Sequence, residues 1–195
     1  MSTILDRWDI SLDELTQVVD GNPSLHGFLI GYIGEFKLRT LWFSDQRVAR
    51  VHKFDDHDRR HKNDLAIEYQ GHEFTLEVKS LQTHSIKHDA GVYRGTFQCD
   101  ASDRRTVILP SGRKVETTCL LVGGFDLVAV NLFGFRHEWE FAFALNRDLP
   151  RSESAKYTPA QRKHLLATSV KISLPLAPPF VGDPFILLDR LLAER

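Results

Sequence analysis

Residues 65–69 and 74–78 alternate apolar and polar side chains on either side of Gln70-Gly71, and that pattern commits the chain to a β-hairpin. Leu65, Ile67 and Tyr69 alternate with Ala66 and Glu68. Phe74, Leu76 and Val78 alternate with Thr75, Glu77 and Lys79. Side chains two apart leave a strand on the same face, so Glu77 and Lys79 project together while Val78 points into the core. The turn folds Asp64 back toward Glu77. Two carboxylates and an ammonium then share one small volume at the end of the hairpin.

That grouping has a chemical use. Mg²⁺ takes oxygen ligands, usually one or two carboxylates with water and phosphate oxygens. Asp64 and Glu77 offer the carboxylates, and the Val78 carbonyl offers a third oxygen. A metal so placed polarises a phosphate ester and lowers the pKa of a bound water. Lys79 is assigned to orientation and charge stabilisation first and to general-base work second. Any exposed strand can also carry Glu-x-Lys as a surface pair that contributes little. The acid at the head of the preceding strand brings the functional reading level with the surface one.

Upstream, Leu29, Ile33, Leu38, Leu41 and Trp42 recur at helical spacing. Glu35 lies close to this stripe, beside Gly31 and Gly34. Glycine inside a helix costs about 1 kcal/mol against alanine, so two of them predict close packing against a sheet, with Glu35 aimed at something. The other reading is a surface glutamate on an amphipathic helix.

From Gly31 and Glu35, through Asp64, to Glu77-Val78-Lys79, the chain resembles the PD-(D/E)XK, or restriction-endonuclease-like, nuclease superfamily. The resemblance covers residues 27–82, with a looser similarity to about residue 150. Asn63 stands where the pattern has proline, and no strong helix follows Lys79. The resemblance implies an α/β fold with a mixed central β-sheet flanked by helices on both sides. It implies Mg²⁺-dependent hydrolysis of DNA phosphodiesters, with Mn²⁺ able to substitute. Asp64, Glu77 and the Val78 carbonyl would sit on the metal, Lys79 at the water, and Glu35 would help hold either. A restriction or phage-defence endonuclease is the closest likeness. Duplex cutting usually needs two active sites, so a homodimer is expected, alone or within a larger defence complex. The rival expectations are a non-catalytic binding subunit and a nuclease for junctions or RNA.

Other segments bear on substrate. Arg47, Arg50, Lys53, Arg59, Arg60 and Lys62 are interspersed with His52, His57 and His61 and interrupted by Asp55, Asp56 and Asp58. This reads either as a loop following a phosphate backbone or as a solvated, self-compensating loop. His57 and His61 have zinc spacing, but no cysteine or second histidine pair joins them. After Lys79 comes a polar stretch in which Gln82 and Lys87 are candidate substrate contacts. A strand at 93–100 precedes Arg104 and Arg105, which could clamp phosphate or read guanine. Ordinary surface polarity accounts for these four equally well.

The remainder is structural. Residues 106–109 and 115–118 form a second hairpin around Pro110 and Gly112. The apolar runs 120–122 and 125–133 read as buried strands, with Asp126 as a turn or hydrogen-bonding residue, and 139–145 as another strand. A helix is predicted over 5–19 with Ser11 and Glu14 as its capping box, another over 158–166, and a last one from Asp183-Pro184 to Leu192. Phe185, Leu188, Leu191 and Leu192 on that last helix face the core or a partner subunit. Pro175, Pro178 and Pro179 exclude regular structure between them. One domain over 1–195 is expected, with a helical segment at 1–24, a catalytic core at 25–150 and a C-terminal helical extension at 151–195. The net charge of −1 argues neither for nor against nucleic acid. No apolar run is long enough to span a bilayer, and the first residues lack a signal-peptide pattern. With only Cys99 and Cys119 present, a reduced, cytoplasmic protein is expected, both thiols being packed side chains.

Overall fold

The computed structural model describes residues 2–54 and 63–195. His57, His61, Arg59, Arg60 and Lys62 of the basic segment lie outside the described residues. Helices α1 (Ile4–Trp8), α2 (Leu12–Asp20) and α3 (Pro23–Leu41) lead into strands β1 (Val48–Lys53), β2 (Leu65–Tyr69) and β3 (His72–Ser80). Strands β4 (Lys87–Asp89), β5 (Val92–Gln98), β6 (Asp100–Ile108), β7 (Lys114–Cys119) and β8 (Leu127–Asn131) follow. The chain closes with α4 (Phe133–Arg136), β9 (Phe141–Leu145), α5 (Pro159–Arg162), β10 (Ser169–Leu174) and α6 (Pro184–Ala193).

The expected hairpin is the centre of the fold. Gln70 and Gly71 adopt φ of 50° and 77°, the left-handed pair of a two-residue turn whose twist matches its strands. Leu65 faces Leu76 and Ile67 faces Phe74 across β2 and β3. The main sheet runs β1-β2-β3-β8-β9, with β3 and β8 parallel and the other pairs antiparallel. A parallel pair needs a long crossover, usually a helix. Here the crossover between β3 and β8 is built of strands instead. It contains the β6–β7 hairpin and two strands of a second sheet, ordered β10-β5-β4.

The two faces of the main sheet are covered differently. Leu65, Ile67, Phe74, Leu76 and Phe143 pack against Leu38 of α3 and Phe185, Leu187 and Leu188 of α6. On the opposite face, Val128, Val130, Ala142 and Ala144 pack against Phe97, Val170 and Ile172 of the second sheet, with Phe135 and Phe180. The expectation of helices on both sides is therefore corrected: the longer helices share one face, and a sheet takes the other. Strands β5 and β10 can do this because Phe97, Val170 and Ile172 alternate with Thr96, Gln98, Lys171 and Ser173. That alternation gives an antiparallel layer with one packed side and one wet side.

Several boundaries also move. The N-terminal helix breaks at Asp9, whose φ is 51°, into α1 and α2. The Ser11–Glu14 capping box closes the start of α2 as expected. Of the two helix glycines, only Gly34 is pressed against the sheet. A Cβ there would lie 2.8 Å from Asn131 Nδ2, whereas Gly31 faces open space. Residues 48–53, expected as loop, form edge strand β1, with Val48 opposite Tyr69 and Val51 opposite Ile67. The helix expected over 158–166 stops at Arg162, because Leu165 and Leu166 bond by their backbones to Ser152 and Leu120. The C-terminal segment contributes strand β10 as well as helices. Asp126 is a hydrogen-bonding residue: its Oδ2 accepts from both N–H and Oγ1 of Thr75, at 2.7 and 3.0 Å. Helix α6 is held by the Tyr69 hydroxyl, which donates to Asp189 at 2.7 Å. Among the described residues no helix is long and apolar enough to cross a membrane.

Candidate active site

Strand β2 begins one residue after Asp64, and among the described residues no strand pairs with β3 beyond that point on this edge. The Asp64 N–H donates to the Leu76 carbonyl at 3.1 Å. By the period of two along a strand, Val78 presents its N–H and C=O to that same edge. The Asp64 carboxylate takes the N–H, with Oδ2 2.7 Å from Val78 N. The Val78 carbonyl is directed past the start of β2, on the side where Asp64 stands.

Glu77 and Lys79 leave the opposite face of β3 from Val78. Glu77 is only 4% exposed, and its Oε2 lies 2.8 Å from Lys79 Nζ. Burial pushes the Glu77 carboxyl up to about 7. Lys79 and Arg105 pull against that rise, and the nearby negative charge of Asp64 adds to it. Burial also works to lower Lys79, but Glu77 and Asp64 outweigh it and hold the ammonium above its ordinary value. Lys79 is thus a fixed cation, suited to stabilising charge and orienting water rather than to accepting a proton. Burial pushes the neighbouring Cys99 thiol up to about 12, so it is not a nucleophile. Burial also raises Asp100, against the pull of Lys79.

The other candidate residues fall in three places. Glu35 pairs with Lys53 of β1 at 2.7 Å, and the Lys53 ammonium also lies 4.7 Å from the centre of the Tyr32 ring. Among the described residues no three His, Cys, Asp or Glu side chains converge into a metal-holding group. Asp64 and Glu77 therefore stand as a pair of acids. Arg105, on β6 beyond an irregularity in its pairing with β7, does reach the site. It is close enough to oppose the Glu77 shift, and its buried Nε has no hydrogen-bond partner among the described residues. Arg104 is exposed. Gln82 and Lys87 are not in this group. Gln82 accepts from Thr96 Oγ1 at 2.9 Å, and Lys87 sits opposite Arg94 on the second sheet.

The sequence placed Lys53 in a basic loop and Cys99 as a packed thiol, and assigned no part to Asp100; that Lys53 sits on a strand, paired with Glu35, was not foreseen. The alternation of Val51 and Lys53 with more exposed neighbours was the available signal for that strand.

The donor set fits a divalent cation. Asp64 and Glu77 offer two carboxylates beside the cations of Lys79 and Arg105, and the Val78 carbonyl is directed at an edge that carries no strand among the described residues. Burial raises the Glu77 carboxyl, and a cation bound beside it would favour its charged form.

No protein-family model matches the chain, and no curated protein matches it. Among solved structures the chain is similar to a bacterial homing endonuclease, at 16% identity and a TM-score of 0.44, over 86% of this chain and 97% of that one.

Proposed function

We propose that this chain is a metal-dependent endonuclease that hydrolyses DNA phosphodiester bonds. The observation that carries the reading is the junction of β2 and β3. There Asp64 is bonded to the Val78 N–H, and the buried Glu77 is paired with Lys79. Asp64, Glu77 and the Val78 carbonyl would hold Mg²⁺ or Mn²⁺. When bound, the ion would supply Lewis-acid polarisation of the phosphate and a more acidic water. Lys79 stays protonated, orients the attacking water and stabilises the charge that grows on the phosphate oxygens. Arg105 brings an unpaired guanidinium N–H into the same volume, the kind of donor that binds a phosphate oxygen in two-point fashion. The resemblance of Asp64 and Glu77-Val78-Lys79 to the PD-(D/E)XK pattern supports the same chemistry and a restriction or phage-defence role.

A homodimer follows from the need to cut two strands. The surface best suited to it is the face of α1–α3, where Trp8, Leu12, Phe28, Tyr32 and Phe36 are exposed.

The test is cleavage of supercoiled plasmid with Mg²⁺, Mn²⁺ or EDTA, comparing wild type with Lys79→Ala and Glu77→Gln. Metal-dependent nicking or linearisation, lost in both variants at unchanged fold, is the expected result. Cleavage retained by both variants would overturn the site assignment. No cleavage with any metal would turn the reading toward a binding subunit.

A further inference from the structure

The outward side of the second sheet carries a concentration of charge that the proposed active site does not use. Lys87 of β4 stands directly opposite Arg94 of β5. Arg94 stands opposite Ser173 of β10, and Lys171 is two residues from that serine, opposite Thr96. Cross-strand partners leave a sheet on the same face, so Lys87, Arg94 and Lys171 project together. All three are exposed. None forms an ion pair among the described residues.

Like charges set directly across two strands cost stability, and among the described residues neither Lys87 nor Arg94 forms an ion pair that offsets this cost. Gln98 and Ser169 add amide and hydroxyl donors to the same face, while the Thr96 and Ser173 hydroxyls already donate to Gln82 Oε1 and to the Pro175 carbonyl. One acid, Asp89, ends β4 on this side. A groove of about 930 Å³ opens beside the strands, with Arg94, Thr96, Lys171 and Ser173 on its wall and Asp148 and Glu153 among its lining residues. Asp148 is already engaged by Arg190 at 3.5 Å.

The face is physically continuous with the strand that carries Glu77 and Lys79. Leu81, just past the end of β3, bridges to Phe97 of β5. The Gln82 N–H donates to the Thr96 carbonyl at 2.8 Å. Glu77 and Gln82 are five residues apart along extended chain, about 17 Å. A duplex advances one base pair in about 3.4 Å, so the two places lie about five base pairs apart.

We infer that the outward face of the β4–β5–β10 sheet is a backbone-binding surface for duplex DNA, with Lys87, Arg94 and Lys171 each neutralising a phosphate. Hydroxyl and amide donors beside cations are the groups that contact phosphates and fix the register of a protein on DNA without reading sequence. The inference rests on DNA being the substrate, and it gives the enzyme a grip remote from the cut. Gln82 and Lys87, expected from the sequence as substrate contacts, would act as such on this surface.

The test is binding of a fluorescent 30-base-pair duplex in EDTA, across a salt series. Wild type is compared with the combined Lys87→Ala, Arg94→Ala, Lys171→Ala variant and with the charge-keeping Lys87→Arg, Lys171→Arg variant. Each phosphate contact contributes about 0.9 to the slope of log affinity against log salt, so the triple variant should lose about 2.7 from that slope. Between 50 and 200 mM salt, wild type should then lose about 40-fold more affinity than the triple variant, and the arginine variant should follow wild type. An unchanged slope in a folded triple variant overturns the inference, as does a wild type that binds no duplex. So does equal displacement of wild type by polyglutamate, which would point to an acidic protein partner. Binding in EDTA does not depend on the metal site. Loss of the slope in a protein that never cleaves plasmid would therefore sustain this surface while overturning the nuclease reading.

Discussion

The Asp64 carboxylate accepts the Val78 N–H at 2.7 Å, so the acid proposed as a metal ligand also closes the end of the β2–β3 ladder. The two roles can be separated. Asp64→Ala leaves a partly buried N–H without its acceptor and should cost about 1–3 kcal/mol in urea unfolding. Asp64→Asn keeps an acceptor oxygen and should recover most of that loss. Both variants lose the charge, so neither should bind Mn²⁺ in calorimetry. An asparagine variant as unstable as the alanine variant would show that the bond to Val78 contributes little.

Glu77 gives the site a pH dependence whose sign is fixed by its raised carboxyl. With the folded value at about 7 against an ordinary 4.5, the neutral form is favoured in the fold. The contribution of Glu77 to stability is therefore fully present below about pH 4.5 and lost as pH rises through 7. Measured by thermal unfolding in EDTA, wild type should lose stability relative to Glu77→Gln across that window, and divalent metal should narrow the gap. Metal affinity should run the other way, falling about tenfold per pH unit below 7 as the proton competes for the carboxylate. A gap between the two proteins that stays constant from pH 4.5 to 8 would contradict the shift.

The hairpin, helix α3 and the proximity of Glu77 and Lys79 were legible because each rests on local periodicity: two for β3 and 3.6 for α3. The second sheet was not, because the pairing that adds β10 to it is sequence-distant. Nothing local to residues 169–174 announces β5 as a partner. Strand β1 was hidden for another reason. As an edge strand it needs only Val48 and Val51 to cover the hairpin, and its other positions carry charge. The approach of Arg105 to Glu77 depends on how the β6–β7 hairpin sits against β3, a tertiary fact with no signature in the residues around it.

Gly31 and Gly34 should respond oppositely to alanine. At Gly31 a Cβ meets nothing within 4 Å, so alanine should stabilise α3 by up to about 1 kcal/mol. At Gly34 the same gain is opposed by Asn131, which is buried and held by its bonds to Ser80 Oγ and the Phe133 N–H. Overpacking of this kind costs about 1–3 kcal/mol, so Gly34→Ala should be neutral to destabilising by up to about 2 kcal/mol. Urea unfolding of the two variants checks the order. Equal effects would mean that α3 is not seated on the sheet through Gly34.

Arg105 should matter for turnover and for the titration of Glu77 together. Removing one charge-stabilising donor at a reacting phosphate typically costs about 10²–10³ in rate, and Arg105→Ala should lose cleavage on that scale. It should also move the pH midpoint of metal binding upward, because the Arg105 charge opposes the rise of Glu77. A purely structural arginine would lower stability and leave the midpoint in place.

The face of α1–α3 should hold two chains together. Neither α1 nor α2 buries a residue. Trp8 and Leu12 are 60% and 66% exposed, and Phe28 and Phe36 of α3 are 69% and 53% exposed. Isolated exposed apolar residues are ordinary, but Phe28, Tyr32 and Phe36 recur every four residues along one side of α3, and an exposed apolar stripe of this kind suits an interface. A two-fold axis suits the charges as well as the apolar area. Asp6, Asp9, Asp13, Glu14 and Asp20 make α1 and α2 acidic, while Lys37 and Arg39 make the end of α3 basic. An antiparallel, self-complementary pairing sets one against the other. Sedimentation at micromolar concentration should give the mass of two chains, and Phe28→Glu with Phe36→Glu should give one chain with an unchanged circular dichroism spectrum. The monomer should nick supercoiled plasmid but no longer linearise it, since each active site would reach only one strand. A wild type that sediments as a single chain and still linearises plasmid would remove the dimer from the account and leave the site chemistry as it stands.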